Sequence, residues 1–496
     1  MSKNSKIKIR ILSIISIILF CIALTFKDLQ NDTFYMIKLG KDILKNGIDM
    51  MDHYSFIDNL SYTYPHWLYD VFIYLIYNKF SYIGVYLSSI ISFIILIITI
   101  YIIQLKINKN EFLALFISII STFSLFVFAT ARSQVITVIL FILEVYFIEK
   151  IISSGKKKYI LFLMLISLIV ANVHATIWMF AFVLYLPFLV TFIINKIIKN
   201  KNLKVNINNK LIIDDIKNIK LIIISFIGSL LMGLFSPSKI CYTYIFRIMM
   251  GNSQEYIMEH ASLVVIDNPL FIAFCLVLLL ILVFSNTKIY LKELFMICGL
   301  ILMSLISIRH LIFFYTIGLL YISVIAMRYL NDKKDKSLDI LGELIVKKKM
   351  IYICLYILVF SGFIYKFSEN YIVDYVPRSK YPIEAVEYIK TLDYKDIRIY
   401  NHYNYGSYLL FNDIPVFIDS RCDLYLPEFN GKKYNIFEDA MEIASGNDYE
   451  EKFNFYDISH ILIHNKHLLY KILIHNDSYE LIYTDNFFTL FKKLSS

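Results

Sequence analysis

Apolar residues in this chain come in unbroken runs, and a run long enough to cross a bilayer constrains a fold more than any motif does. A helix of a water-soluble protein shows an apolar stripe recurring every three or four residues. Here the runs are apolar on every side, as in GVYLSSIISFIILIITIYIIQ at 84 to 104. The chain is 58% hydrophobic and 18% charged over 496 residues, so the solvent it needs is lipid. A crossing takes about 17 to 25 residues, with some shorter ones tolerated. Runs of that kind fall at 9 to 26, 84 to 104, 111 to 129, 134 to 149, 159 to 173, 175 to 195, 219 to 235, 268 to 285, 293 to 308, 310 to 328 and 350 to 366. The sequence therefore predicts an α-helical polytopic membrane protein with about eleven transmembrane helices.

The formal net charge is +9, and its placement decides the topology. With the N-terminus inside, the cytoplasmic loops are 105 to 110, 150 to 158, 196 to 218, 286 to 292 and 329 to 349. These are the lysine-rich ones, including Lys156-Lys157-Lys158 and Lys347-Lys348-Lys349, as the positive-inside rule expects. Lysines used this way argue against a nucleic-acid partner. The stretch from His66 to Tyr77 is apolar enough to suggest a twelfth crossing, but counting it would put every later basic loop outside, so it reads as a helix on the outer interface. The first run follows a basic start (Lys3, Lys6, Lys8, Arg10) without a cleavage pattern and reads as an uncleaved helix. The six cysteines show no ligand or disulfide spacing.

Residues 367 to 496 change character, with more charge and short β-rich runs (IRIYN, PVFID, ISHILIHN, LIYTDNFFTLF) between helical stretches such as Ile383 to Leu392. The expected organisation is a transmembrane domain at 1–366 with an outer first loop at 27–83, then a soluble α/β domain at 367–496. Eleven crossings place that domain outside the cell membrane.

Sorted by side, most polar residues in or bordering the spans gather at the outer face: Asp32, Asp52, Asp70, Arg132, Asn172, His174, Glu259, Arg309 and His310. A charge near hydrocarbon costs about 2.5 to 3.5 kcal/mol at a helix centre, so each needs a partner or a purpose. Cations at the ends of three hairpins would suit a phosphate or diphosphate, for which arginine offers forked donors. An acid facing them would serve as general base, taking a proton from an acceptor hydroxyl while the phosphate departs. Plainer readings stay open: Arg132 and Arg309 as residues that snorkel to headgroups, Asp32 as the N-cap of a helix starting at Thr33, Asn172 and His174 as stabilisers of a tight hairpin.

Several blocks resemble the bacterial GT-C class of membrane glycosyltransferases, in a branch related to the dolichyl-phosphate-mannose mannosyltransferases and lipid A glycosyltransferases. They are NDTFYMIKLGKDILKNG with DHYSF and HWLYD, then ARSQ, ANVHAT, SPSK, YIMEH and IRH, and in the tail YNHYNYGSYLLF and VFIDSRCDLY. The resemblance implies a polyprenyl-phosphate sugar donor, an outward active site, Asp32 as catalytic base with Asp52 or Asp70 as a second acid, and Arg132 or Arg309 holding the donor phosphate. No cofactor is indicated, and a divalent metal stays open because the first loop has no DxD or DE doublet. The tail blocks single out Asn401, Gly406, Tyr408, Asp419, Arg421 and Asp423. Gly406 is expected in a tight turn. Asp419, Arg421 and Asp423 are expected to alternate along an extended segment, either binding sugar hydroxyls or forming an internal ion pair.

The leading expectation is transfer of a sugar from a polyprenyl-phosphate donor to an extracytoplasmic glycan, lipid or protein. A lipid-linked glycan flippase would instead need polar groups through the membrane's depth and matched broken helices. A third alternative is a non-catalytic membrane scaffold.

Overall fold

The computed structural model describes residues 2–200, 210–250, 260–394 and 396–494. The chain is mostly helical and divides into two compact units. The first comprises Met1–Phe26, Ser89–Tyr242 and Ile257–Ile372, and the second Lys27–Ser88, Thr243–Tyr256 and Val373–Ser496. The stretch expected as an outer loop of the transmembrane domain thus belongs, by its contacts, with the C-terminal residues.

Every one of the eleven apolar runs lies on a helix or on helices joined end to end. Among the described residues six helical stretches are long and apolar enough to cross a membrane: Lys3–Leu24, Trp67–Asn108, Glu111–Phe128, Ala175–Asn200, Ile308–Asp332 and Lys349–Ile372. Lys158–Val173, Ile219–Phe235 and Pro269–Phe284 are shorter apolar helices. The remaining two runs lie on Ser133–Ser154, which carries Glu144, Glu149 and Lys150, and on Leu291–Ile306, which carries Lys292 and Glu293. For reference, α1 is Lys3–Leu24, α2 Asn31–Asn46, α3 Trp67–Asn108, α4 Glu111–Leu125, α5 Ser133–Ser154 and α6 Lys158–Val173.

Within the first unit α1 packs against α4 and against Lys349–Ile372, with Ile9, Leu12, Leu115 and Val346 buried together. Deeper in the unit Phe180 stacks on Phe313 at 4.1 Å between ring centroids and on Phe141 at 5.5 Å. The Lys349–Ile372 helix leaves Ile357, Leu358, Phe360 and Ile364 exposed, an outer surface that only lipid solvates favourably. Two charge pairs lie inside the unit, Lys292 with Glu149 at 2.8 Å and Arg328 with Glu293 at 2.7 Å, whereas Glu144 is buried with Oε2 lacking a hydrogen-bond partner among the described residues. Pairing offsets most of the cost of removing the paired charges from water.

The second unit begins with α2. Its C-cap is Gly47, at φ 81°, a left-handed conformation that glycine adopts without Cβ strain. The first part of α3 follows, and the helix breaks at Ser81, where φ is 55° and ψ −156°. That break falls between the stretch read as interfacial and the run read as a crossing. A four-stranded sheet forms the C-terminal part in the order β3-β4-β6-β5, with β3 Ile399–Tyr400, β4 His460–His464, β5 Tyr479–Thr484 and β6 Phe488–Lys493. Strands β3 and β4 run parallel, and the other pairings are antiparallel. The labels β1 and β2 denote a two-residue parallel pair in the first unit, Leu211–Ile212 and Ile289–Tyr290.

The expected strand PVFID does not join this sheet. Its buried backbone is satisfied elsewhere: Val416 N donates to Tyr54 O, Phe56 N donates to Val416 O, and Phe417 N donates to the Asn401 side chain. An apolar segment whose polar backbone finds loop and side-chain partners has no need of a ladder.

Candidate functional site

The second unit gathers most of the acids singled out by sequence. Arg421 lies at their centre, with 4% of its surface exposed. Its guanidinium forks onto one carboxylate, Nε to Asp419 Oδ1 at 2.9 Å and Nη2 to Asp419 Oδ2 at 2.6 Å. Nη1 donates to Asp52 Oδ1 at 2.6 Å. Burial works against the Arg421 cation, but Asp419 and Asp52 outweigh it and hold the group protonated, well above its ordinary value. Asp52 is itself fixed by an Asx turn, accepting at Oδ2 from Ser55 N at 2.8 Å. The Tyr425 hydroxyl donates to Asp419 Oδ2 at 2.8 Å, and the rings of Tyr62 and Tyr54 lie 4.9 and 5.2 Å from the guanidinium carbon. Of the two readings for this row, the geometry is that of an internal ion pair: Arg421 spends each of its nitrogens on Asp52 or Asp419. The ion pair joins the DHYSF block to the VFIDSRCDLY block.

The row does not continue to Asp423. The chain turns into a short helix, Cys422–Tyr425, at that point, and Asp423 accepts instead from the Tyr244 hydroxyl at 3.3 Å. The expected turn at Gly406 is also corrected. Gly406 lies inside the helix Tyr403–Phe411, and a Cβ there would sit 2.0 Å from Ile418 O and 2.9 Å from Asp419 Cα. The glycine is needed for close approach of two backbones rather than for a turn. Asn401 reinforces the same junction, its Nδ2 donating to Ile418 O at 2.6 Å. Tyr408 is a packing residue, edge-on to Phe34 at 5.1 Å between centroids.

Asp70 is fully buried in the first turn of α3, and neither carboxylate oxygen has a hydrogen-bond partner. The Arg421 charge acts on it. Asp32 is not an N-cap: α2 starts two residues earlier than expected, at Asn31, with Gln30 in the cap position. Asp32 sits half-buried in the first turn, where the helix dipole favours a carboxylate. Around it Gln30 Oε1, Asn31 Oδ1 and Thr33 Oγ1 are buried without partners, a set of oxygens prepared for a ligand or a proton donor.

The remaining residues belong to the first unit. Arg132 is the residue preceding α5. Asn172 turns back on its own helix, Nδ2 donating to Leu168 O at 2.9 Å. His174 ends α6 and is buried, its Nδ1 lying 3.1 Å from Thr137 Oγ1 on α5. Asn172 thus bonds within α6, and His174 ties the end of α6 to α5. Arg309 Nη1 is 3.2 Å from His260 Nε2, and His310 Nδ1 is 3.2 Å from Met303 O. Glu259 lies outside the described residues. Sequence reasoning missed the tyrosines around Arg421. Tyr425 was legible in the VFIDSRCDLY block, whereas nothing local connects Tyr54 and Tyr62 to residue 421.

No protein-family model matches the chain, and no curated protein matches it by sequence. Solved structures do. The oligosaccharyltransferase of Archaeoglobus fulgidus in its apo form superposes with a TM-score of 0.60 at 9% identity, covering 93% of this chain and 70% of that one. The archaeal oligosaccharyltransferase AglB from the same organism, in complex with an inhibitory peptide and a dolichol-phosphate, gives 0.52 at 9% identity over 93% and 70%. The A. fulgidus enzyme tethered to an acceptor peptide containing the NVT sequon gives 0.55 at 9% identity over 91% and 68%. At such identity the likeness is one of fold, and the fold is GT-C-like.

Proposed function

We propose that this protein is a GT-C-type membrane glycosyltransferase that moves a sugar from a polyprenyl-phosphate donor to an extracytoplasmic acceptor. One observation carries the reading: a chain with the oligosaccharyltransferase fold over 93% of its length places a half-buried acid, Asp32, in the first turn of the helix after its first apolar span, among buried oxygens without partners. In this reading eleven crossings put the N-terminus in the cytoplasm and the second unit outside. Asp32 is the general base that takes the acceptor's proton, and Asp70 is a second acid. The acceptor oxygen attacks the anomeric carbon while the donor phosphate leaves as an anion. The neighbours solved in complex with a dolichol-phosphate and with peptides support a lipid-linked donor and leave a protein acceptor among the candidates.

The test incubates purified protein with radiolabelled polyprenyl-phosphate hexoses and membrane acceptors, comparing wild type with Asp32→Asn. Loss of a general base lowers turnover by about 10²- to 10⁴-fold. Equal label transfer by the variant would remove Asp32 from the mechanism, and no transfer from any donor would refute the enzymatic reading.

A further inference from the structure

At the other end of α2 the second unit has an open cavity of about 520 Å³ that no step of the proposed reaction uses. Lys38, Asp42 and Asn46 line it from one face of the helix at successive i, i+4 positions. The loop residues Asp49, His53, Tyr54 and Tyr64 and the tail residue Asp413 complete it. Its polar groups are held in place beforehand. Lys38 Nζ is clamped between Asp413 Oδ1 at 2.7 Å and Asp42 Oδ2 at 3.5 Å, and the Tyr54 hydroxyl donates to Asp42 at 2.6 Å. Asp49 is hydrogen-bonded to His53, which holds its carboxyl below the usual carboxylate range. The Tyr64 hydroxyl lies 3.4 Å from Asp49 Oδ1.

We infer that this cavity is a saccharide subsite for a neutral or amine-bearing sugar. The volume lies within the range of small-ligand pockets, about 300 to 1,000 Å³. The Tyr54 and Tyr64 hydroxyls beside fixed carboxylates set hydrogen-bonding groups at defined positions around the cavity, a pattern suited to the hydroxyls of a sugar. Charge selects among sugars: three carboxylates face one lysine, and that lysine is already neutralised by two of them. A phosphate or uronate would meet repulsion, while an ammonium would meet Asp49. The inference rests on the reading of Asp32 given above. Asp42 is ten residues further along α2, about 15 Å at 1.5 Å per residue, so the cavity takes a sugar unit remote from the reacting one.

Binding is measured on the full-length protein in detergent by saturation-transfer NMR and calorimetry, with glucosamine, a neutral N-acetylglucosamine disaccharide, glucuronic acid and a lysine tripeptide as probes. The first two are expected to bind. Asp49→Asn and Asn46→Ala alter exposed side chains, and each is expected to weaken that binding at least tenfold, with thermal unfolding of each variant confirming that it is folded. Binding of glucuronic acid as tight as that of glucosamine, binding of the tripeptide alone, or saccharide binding unchanged in both variants would overturn the inference. Asp32→Asn is expected to leave saccharide binding intact. Binding that persists where transfer is unaffected by Asp32→Asn thus refutes the base and spares the subsite, and transfer without saccharide binding does the reverse.

Discussion

Replacing Arg421 by glutamine should destabilise the second unit more than any other single polar substitution. Two carboxylates, Asp52 and Asp419, contact the guanidinium at 2.6 Å, and all three side chains are at most 1% exposed. At an effective dielectric near 20 each pair is worth about 4 kcal/mol, about 8 kcal/mol together. Much of that is offset in the wild type by several kcal/mol of desolvation for each ion. The balance changes once the arginine is gone, because Asp52 and Asp419 stay buried with no counter-ion and Asp70 adds a third acid nearby. Removing one partner of such a group costs about 3 to 5 kcal/mol. For a unit of this size that is a fall in Tm of roughly 6 to 20 °C. The assay is thermal unfolding of purified protein in detergent, followed by tyrosine fluorescence. Arg421→Lys keeps the charge but not the fork and should fall between wild type and the glutamine variant. Adding Asp52→Asn and Asp419→Asn to Arg421→Gln should recover part of the loss, since buried charge is then no longer unpaired. A drop of less than about 3 °C for Arg421→Gln, or no recovery in the triple variant, would refute the reasoning, because either result means the acids are solvated or protonated without the arginine.

Other outcomes follow from particular side chains. Gly406→Ala should lower stability by about 3 kcal/mol or prevent folding, since its Cβ would lie 2.0 Å from a backbone oxygen that cannot rotate away; thermal unfolding and expression yield read it out. His402 makes the tail sensitive to acid. Burial, with the neighbouring His467, pushes its pKa down to about 3, and its Nδ1 accepts from Asn404 N at the start of the helix Tyr403–Phe411. Since the folded pKa lies below the unfolded value, the unfolded chain takes up the proton first, so stability is complete above about pH 6.5 and is lost as pH falls toward 3, by about 2 kcal/mol between pH 7.5 and 5. Tm measured across that range should slope less in His402→Asn. Ile357→Asp, on the exposed face of Lys349–Ile372, should impair membrane insertion by about 2.5 to 3.5 kcal/mol in a glycosylation-tag or protease-protection assay, whereas insertion equal to wild type would show that this face does not meet lipid. Thiol labelling of intact cells should reach cysteines placed at exposed tail positions and not at Lys348; the opposite pattern would invert the topology.

The parts of this molecule legible from sequence are those written locally. A crossing helix announces itself as an apolar run because each of its residues meets lipid or another apolar surface, and so all eleven runs returned as helices. A break at Ser81 separates the His66–Tyr77 stretch from the run at 84 to 104. What stayed hidden depends on partners far along the chain. PVFID has every local mark of a strand, but its hydrogen bonds go to Tyr54, Phe56 and Asn401, and no periodicity within five residues could reveal that. Gly406 read as a turn because glycine usually marks one; only the approach of Ile418 and Asp419 shows that the missing Cβ, and not backbone freedom, is what the site requires. Asp52 and Arg421 were noticed separately, one as a catalytic acid and one as part of a tail motif, and 369 residues separate them. Their ion pair changes the assignment of roles within the loop. An aspartate whose oxygens are committed to an arginine and an Asx turn is poorly placed to exchange protons with a substrate. The role proposed for a first-loop acid therefore cannot be read from sequence position alone, since the partner that occupies Asp52 lies in the tail.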